Sequence, residues 1–178
     1  MSLQHRFTLP ERPGDLRQLG QLYGSSITVI SAEIINRHSG PVMLIASDMQ
    51  QALRLNDELR QFTDKTVTAL PDWETLPYDS FSPHQEIVSS RLSSLYQLPH
   101  MKDGVMILPV NTLMQKVCPH SFLMGYALAA KKGDVLSRDN LRSQLEQAGY
   151  RSVDQVMEHG EFATRGALLD LFPMGSEE

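Results

Sequence analysis

Three runs along the chain are predicted as strands. Val42–Ala46 and Val105–Leu108 are continuously apolar, and Thr66–Leu70 lies between them. Continuous runs of this length are typical of strands that are buried on both faces. Segments with helical spacing separate the three runs, and this alternation predicts a parallel sheet flanked by helices, an α/β fold.

The helical segments are recognised by apolar residues that recur every three or four positions. They cover residues 16–24, 27–39, 48–62 and 82–98, and a short helix starts at Asn111. Asp48 with Gln51 three positions later predicts a capping box. Ser82 is predicted as the N-cap of the fourth helix, since proline and glutamine follow it within its first turn.

The pattern changes after residue 125. A strand is predicted at Tyr126–Ala130, a capped helix from Ser137 to Gly149, and a β-hairpin at the end of the chain. This order predicts part of a small α+β domain. The expected organisation is an N-terminal arm and helix over 1–24, an α/β domain over 25–125 and the α+β domain over 126–178. Because the chain ends five residues past Pro173, we expect this last domain to be truncated at its C-terminus.

The predicted hairpin has a tight turn at Arg165–Gly166. Phe162 and Ala163 lead into it and an apolar strand leads out. Glycine supplies the positive φ that two-residue turns need. Arg165 places a rigid bidentate donor at the tip, where it could pair with a carboxylate or phosphate on another molecule. The alternative is a solvent-exposed turn residue with no role.

The segment before the first long helix is where a phosphate-binding loop is expected. The working template is G-x-x-x-x-G-K-[ST], in which the lysine reaches the phosphates. The segment contains Gly24, and Thr28 fits the hydroxyl position of the template. Ile27 stands at the lysine position and Ser26 directly before it. No Asp-Glu pair follows Val105–Leu108. We therefore expect a degenerate phosphate loop, no catalytic residues and no ATP hydrolysis.

Composition limits the classes of function that this chain can have. The net charge is −5, from 21 acidic and 16 basic residues, which argues against strong nucleic-acid binding by this chain. The single Cys118 agrees with a reducing cytoplasm, and Cys118 with His120 offers too few ligands for a metal site. No apolar run reaches the ~20 residues of a membrane span.

Several motifs resemble UvrB, the damage-verification helicase of excision repair. The segments 41–48 and 53–62 are similar to its first domain, which has a RecA/helicase-like fold. The segments 133–145 and 165–173 are similar to its second domain. A closer resemblance is to the transcription-repair coupling factors, or Mfd proteins, through 72–84, 89–92, 110–114 and 159–166. The combined resemblance covers essentially the whole chain and places it at the N-terminal end of such a protein.

The resemblance implies a division of labour. Coupling factors displace stalled RNA polymerase with a DNA translocase that uses ATP and magnesium, and they recruit UvrA through a UvrB-like module. Only that module is expected here, so contacts with RNA polymerase and DNA belong to domains outside this sequence. This module differs from UvrB at two places. The loop lysine is absent, and the segment Trp73–Pro83 is short where UvrB carries its DNA-clamping hairpin.

The expected function is that of a non-catalytic adaptor that recruits UvrA in transcription-coupled nucleotide excision repair. Arg165 matches a position at which the family contacts UvrA, and Thr164 and Gly166 are weaker candidates. No cofactor or metal is expected in this chain. Two alternatives stay open: a nucleotide-binding module with an unusual loop, and an autoinhibitory module that packs on other domains of the same chain.

Overall fold

A computed structural model describes residues 7–75, 78–126 and 132–175. The chain forms two units. The first holds the described residues up to Ala69 together with Met101–Leu113, and the second holds those of Leu70–His100 and from Met114 onwards. This grouping differs from a single boundary near residue 125. The difference arises because the helix at 85–97 packs against later helical residues of the second unit.

The first unit is built on a three-stranded parallel sheet. Its strands are β1 (Val42–Ala46), β2 (Val67–Ala69) and β3 (Val105–Pro109), in the order β1-β3-β2. The two outer strands pair with the same residue of the central strand, since Val42 and Val67 both face Val105. The predicted parallel α/β sheet is confirmed.

The strands differ in burial. All five residues of β3 are buried, as a central strand of a parallel sheet requires. In β1 the pattern alternates, and Met43 and Ile45 are 51% and 48% exposed. The expectation that Val42–Ala46 is buried on both faces was therefore wrong. Val42 and Leu44 pack against the core, so one face of β1 is packed and the other is half-exposed in the described structure.

In the described part of this unit, three helices accompany the sheet: α1 (Ser26–Arg37), α2 (Met49–Leu59) and α4 (Val110–Leu113). The helices α1 and α2 pack on each other, and α2 packs on the sheet. The shared core consists of small and aliphatic side chains, among them Ile35, Leu55, Leu59, Val105 and Ile107. This packing stabilises α1 and α2 more than their own propensities do.

The start of α2 follows the prediction with a small difference. The carboxylate of Asp48 accepts a 2.8 Å hydrogen bond from the Gln51 backbone N–H, as an N-cap should. The Gln51 side chain returns to the backbone N–H of Ser47, also at 2.8 Å, one residue before the position that a capping box uses.

The helix predicted over residues 16–24 was wrong. Residues 15–23 have no helix or strand, and Leu16 and Tyr23 are 74% and 78% exposed. Gln21 has a φ of 59°, a left-handed conformation that cannot continue a right-handed helix. Apolar spacing alone does not produce a helix when no core is available to cover it.

The second unit begins with helices α3 (Gln85–Gln97) and α5 (His120–Tyr126), and α3 ends in a 3-10 turn at Leu98–His100. The N-cap of α3 is His84, two residues later than the predicted Ser82. Sequence patterning did not predict α5. The strand expected at Tyr126–Ala130 is not seen at Tyr126, which ends α5, and residues 127–130 lie outside the described part.

The rest of the second unit is a small α+β arrangement, as predicted. Helix α6 (Arg138–Gln147) precedes a three-stranded sheet of β4 (Arg151–Ser152), β5 (Glu161–Arg165) and β6 (Leu168–Phe172). The order is β4-β5-β6, with β4 parallel and β6 antiparallel to β5.

Helix α6 ends at a glycine, as expected. Gly149 has a φ of 88°, and the next N–H, of Tyr150, donates to the carbonyl of Leu145 at 2.9 Å. The predicted N-cap Ser137 has an extended backbone but makes no side-chain capping bond. In the described ranges no helix combines the length and the apolar character that crossing a bilayer would take.

Candidate functional site

The hairpin of β5 and β6 closes through a two-residue loop. Arg165 pairs with Leu168, so the loop residues are Gly166 and Ala167. The turn therefore lies one residue later than the predicted Arg165–Gly166, and Arg165 is the last residue of its strand. Gly166 has a φ of 60°, the conformation that the first position of such a loop favours and that glycine adopts without strain.

Arg165 lies exposed at this tip and is held by its own chain. One terminal nitrogen, Nη2, donates to the backbone carbonyl of Asp154 at 2.8 Å. A guanidinium has five N–H donors, so most of its donor capacity stays available. In the described ranges Arg165 has no carboxylate within 4.0 Å. The neighbouring Thr164 is also exposed and pairs with Leu169.

The base of the hairpin is rigidly built. Phe162 is fully buried, and the adjacent Glu161 is 7% exposed. The Glu161 carboxylate accepts bonds from the backbone N–H groups of Met157 and Glu158, at 2.9 and 3.0 Å, and from Arg151 at 3.0 Å. The Met157 N–H, the Glu158 N–H and the nearby Arg151 hold the pKa of Glu161 below its usual value. Sequence patterning did not single out Glu161, because a lone glutamate in a strand carries no periodic signal.

The segment with the predicted degenerate phosphate loop forms the start of α1. Gly24 has a φ of 58°, Ser26 is exposed, and Ile27 packs against the core of the first unit. Thr28 is almost fully buried, and its hydroxyl donates to the carboxylate of Glu58 on α2. The hydroxyl that would face a metal ion in a working loop is thus bonded to a protein carboxylate.

Glu58 is the feature that the sequence did not reveal. Its carboxylate accepts from Thr28 and, at 2.6 Å, from Arg54. The bond from Thr28 is the main reason that the pKa of Glu58 is lowered, with Arg54 and the Ser25 hydroxyl adding to it. A carboxylate beside the first turn of α1 is favourable because helix N-termini attract negative charge. A bound phosphate would use the same attraction, so Glu58 competes with it.

The loop after β2 contains the only tryptophan of the chain. The guanidinium of Arg91 on α3 lies 4.1 Å from the centre of the Trp73 ring, a cation–π contact. Arg91 is 1% exposed and also donates to the carbonyl of Pro71. By contrast, Tyr78 and Phe81 point into solvent. This segment is therefore anchored at its start, and its described residues form neither helix nor strand.

Within the described ranges there is no candidate metal site. Cys118 is partly exposed, and the described residues contain no group of three or more histidine, cysteine, aspartate or glutamate side chains that could hold an ion. The pairing of Cys118 with His120 thus gains no further ligand.

Comparison with known proteins agrees with the resemblance. Residues 128–178, which include α6 and the hairpin, match the family model of the UvrB interaction domain. The chain is 70% identical over 177 residues to the transcription-repair-coupling factor of Escherichia coli K12, an alignment that covers 99% of the chain. The chain belongs to the transcription-repair-coupling factor family. It carries the UvrB-like module of that family.

More distant coupling factors align over the same extent. The identity is 49% over 168 residues with the factor of Haemophilus influenzae, covering 94% of the chain. It is 32% over 173 residues with that of Mycobacterium tuberculosis, covering 93%. The chain spans only 15% of the length of the Escherichia coli and Haemophilus factors and 14% of the mycobacterial one.

Proposed function

We propose that this chain is a non-catalytic UvrB-like adaptor, which recruits UvrA to stalled RNA polymerase in transcription-coupled nucleotide excision repair. The observation that carries the proposal is the exposed Arg165 at the tip of a rigid hairpin inside the UvrB interaction domain. Polymerase binding, DNA binding and translocation driven by ATP and magnesium belong, in this proposal, to the remainder of the full-length coupling factor.

Arg165 has the properties of an interface anchor. It is always charged, its fork can pair bidentately with a carboxylate, and its bond to the Asp154 carbonyl already limits its rotamers. A side chain that is already restricted before binding loses less conformational entropy when the complex forms. Gly166 supports this role by closing the turn, and Thr164 presents a hydroxyl one residue away.

The test is the affinity of this chain for UvrA, measured by titration calorimetry. Replacing a charged interface anchor with alanine weakens binding by about 1–3 kcal/mol, so Arg165→Ala should raise Kd by about 5- to 150-fold. Arg142→Ala is a matched control, because Arg142 lies exposed on α6 but is paired with Glu146 at 2.9 Å. An unchanged Kd for Arg165→Ala would remove it from the interface, and no binding by the parent chain would refute the adaptor proposal.

The adaptor proposal includes the absence of nucleotide chemistry. Ile27 occupies the lysine position and Glu58 bonds to Thr28, so the loop offers an apolar side chain and a negative charge to an incoming phosphate. A ligand that binds the folded state raises its melting temperature. We expect saturating magnesium-ATP to leave the melting temperature unchanged. A clear rise would favour the nucleotide-binding alternative.

A further inference from the structure

A second arginine is anchored to the hairpin tip. Arg138 is the first residue of α6, and its terminal nitrogen Nη1 donates to the carbonyl of Gly166 at 2.5 Å. Gly166 directly follows Arg165 and is the first residue of the loop. Arg138 and Arg165, from distant parts of the chain, are therefore each held by a backbone carbonyl, and the Arg138 bond ends on the residue that follows Arg165.

Neither arginine is neutralised by its anchor. Arg138 and Arg165 each donate to a backbone carbonyl, which carries no formal charge. Among the described residues Arg138 forms an ion pair with Asp139, whose carboxylate lies 3.6 Å from its Nε and whose side chain is 87% exposed. Exposed pairs of this kind contribute little because water screens them. An acidic partner surface that reaches both cations is attracted by each of them.

The surface beside the two cations is apolar. Leu168, directly opposite Arg165 in the ladder, is 69% exposed. Directly opposed residues project from the same face of a hairpin. A surface that combines arginine with an exposed aliphatic side chain on a rigid element has the composition of a protein interface.

We propose that Arg138 is a second partner-contacting residue, so that the hairpin tip presents a two-arginine surface to paired carboxylates on UvrA. This proposal rests on the proposed function and adds to it the charge requirement of the partner surface. The bond to Gly166 holds the Arg138 side chain over the tip, and its remaining N–H groups contact the partner.

The test compares Arg138→Gln and Arg138→Glu with the matched control Arg142→Gln. Arg142 lies one turn further along α6 but already pairs with Glu146. We expect Arg138→Gln to raise the Kd for UvrA by about 3- to 10-fold and Arg138→Glu by clearly more, since like charges at an interface are strongly unfavourable. Arg142→Gln should have no effect.

Two further readouts separate contact from simple support of the turn. Removing a cation that contacts the partner lowers the association rate and weakens the dependence of Kd on salt concentration. Removing a residue that only stabilises the turn does neither. Equal effects of glutamine and glutamate with an unchanged salt dependence would overturn the proposal, as would parent-like affinity of both variants. If Arg165→Ala weakens binding and Arg138→Glu does not, only this inference fails. If the parent chain does not bind UvrA, the proposed function fails with it.

Discussion

Gly104 offers a sharp test of the packing of the parallel sheet. It directly precedes β3 with a φ of 89°, and its carbonyl accepts the N–H of Val42 at 2.9 Å. A Cβ at this position would overlap the carbonyl oxygen of Thr66, a backbone atom that already accepts the N–H of Val105. Gly104→Ala therefore adds a steric conflict, at the point where the three strands meet, to an unfavourable backbone conformation.

The expected loss of stability follows from these two costs. A left-handed conformation costs a residue with a Cβ about 1–2 kcal/mol, and forcing an extra carbon into a packed site costs about 1–3 kcal/mol. We expect Gly104→Ala to lower the free energy of unfolding by about 2–5 kcal/mol. This is a large part of the ~5–15 kcal/mol that typically stabilises a protein of this kind.

Gly24→Ala is the control within the same unit. Gly24 has a φ of 58°, and a Cβ there would meet nothing within 4 Å, so only the backbone cost of about 1–2 kcal/mol applies. Urea denaturation followed by far-ultraviolet circular dichroism measures both variants. Equal losses in the two variants would refute the claim that the Thr66 carbonyl leaves no room for a side chain.

Three further predictions concern the second unit. Phe162→Ala should destabilise it by about 3–5 kcal/mol, because a fully buried phenylalanine is removed, and the fluorescence of Trp73 during denaturation reports it; a loss below 1 kcal/mol would contradict the burial. The pKa of Glu161 is lowered in the folded state. The stability that its carboxylate contributes is therefore complete at pH values above its ordinary pKa of 4.5, and it is lost as the pH falls through the lowered pKa. Glu161→Gln should therefore reduce stability at neutral pH and show a smaller further loss on acidification, and parallel pH profiles would argue against this. Arg91→Ala should shift Trp73 emission to the red by removing the stacked guanidinium, whereas Arg91→Met should keep it closer to the parent; identical spectra would contradict the stacking.

The sequence predicted those elements whose signals are local and mutually consistent. The strands β1 and β3 and the cap of α2 at Asp48 were found because apolar runs and capping residues define them directly. The hairpin was found, but its turn was placed one residue early. Glycine signals a turn, yet only the ladder between Arg165 and Leu168 fixes which two residues form the loop.

Other features depend on contacts that a linear pattern does not contain. The predicted helix before Gly24 had a correct apolar spacing but no partner surface in the described structure, and Gln21 interrupts it. The exposure of Met43 depends on which face of β1 other elements cover, and the apolar run itself does not specify this. The bond between Thr28 and Glu58 joins residues thirty positions apart, and the bond from Arg138 to Gly166 spans twenty-eight.

The bond between Thr28 and Glu58 also bears on how easily this segment could be converted into a nucleotide-binding loop. Ile27→Lys alone would replace an apolar side chain that packs against the core with a charged one. Replacing Glu58 alone would leave the nearly buried Thr28 hydroxyl without this acceptor while position 27 stayed apolar. Each single change carries a stability cost, so Ile27 and Glu58 together oppose the conversion of this segment into a nucleotide-binding loop.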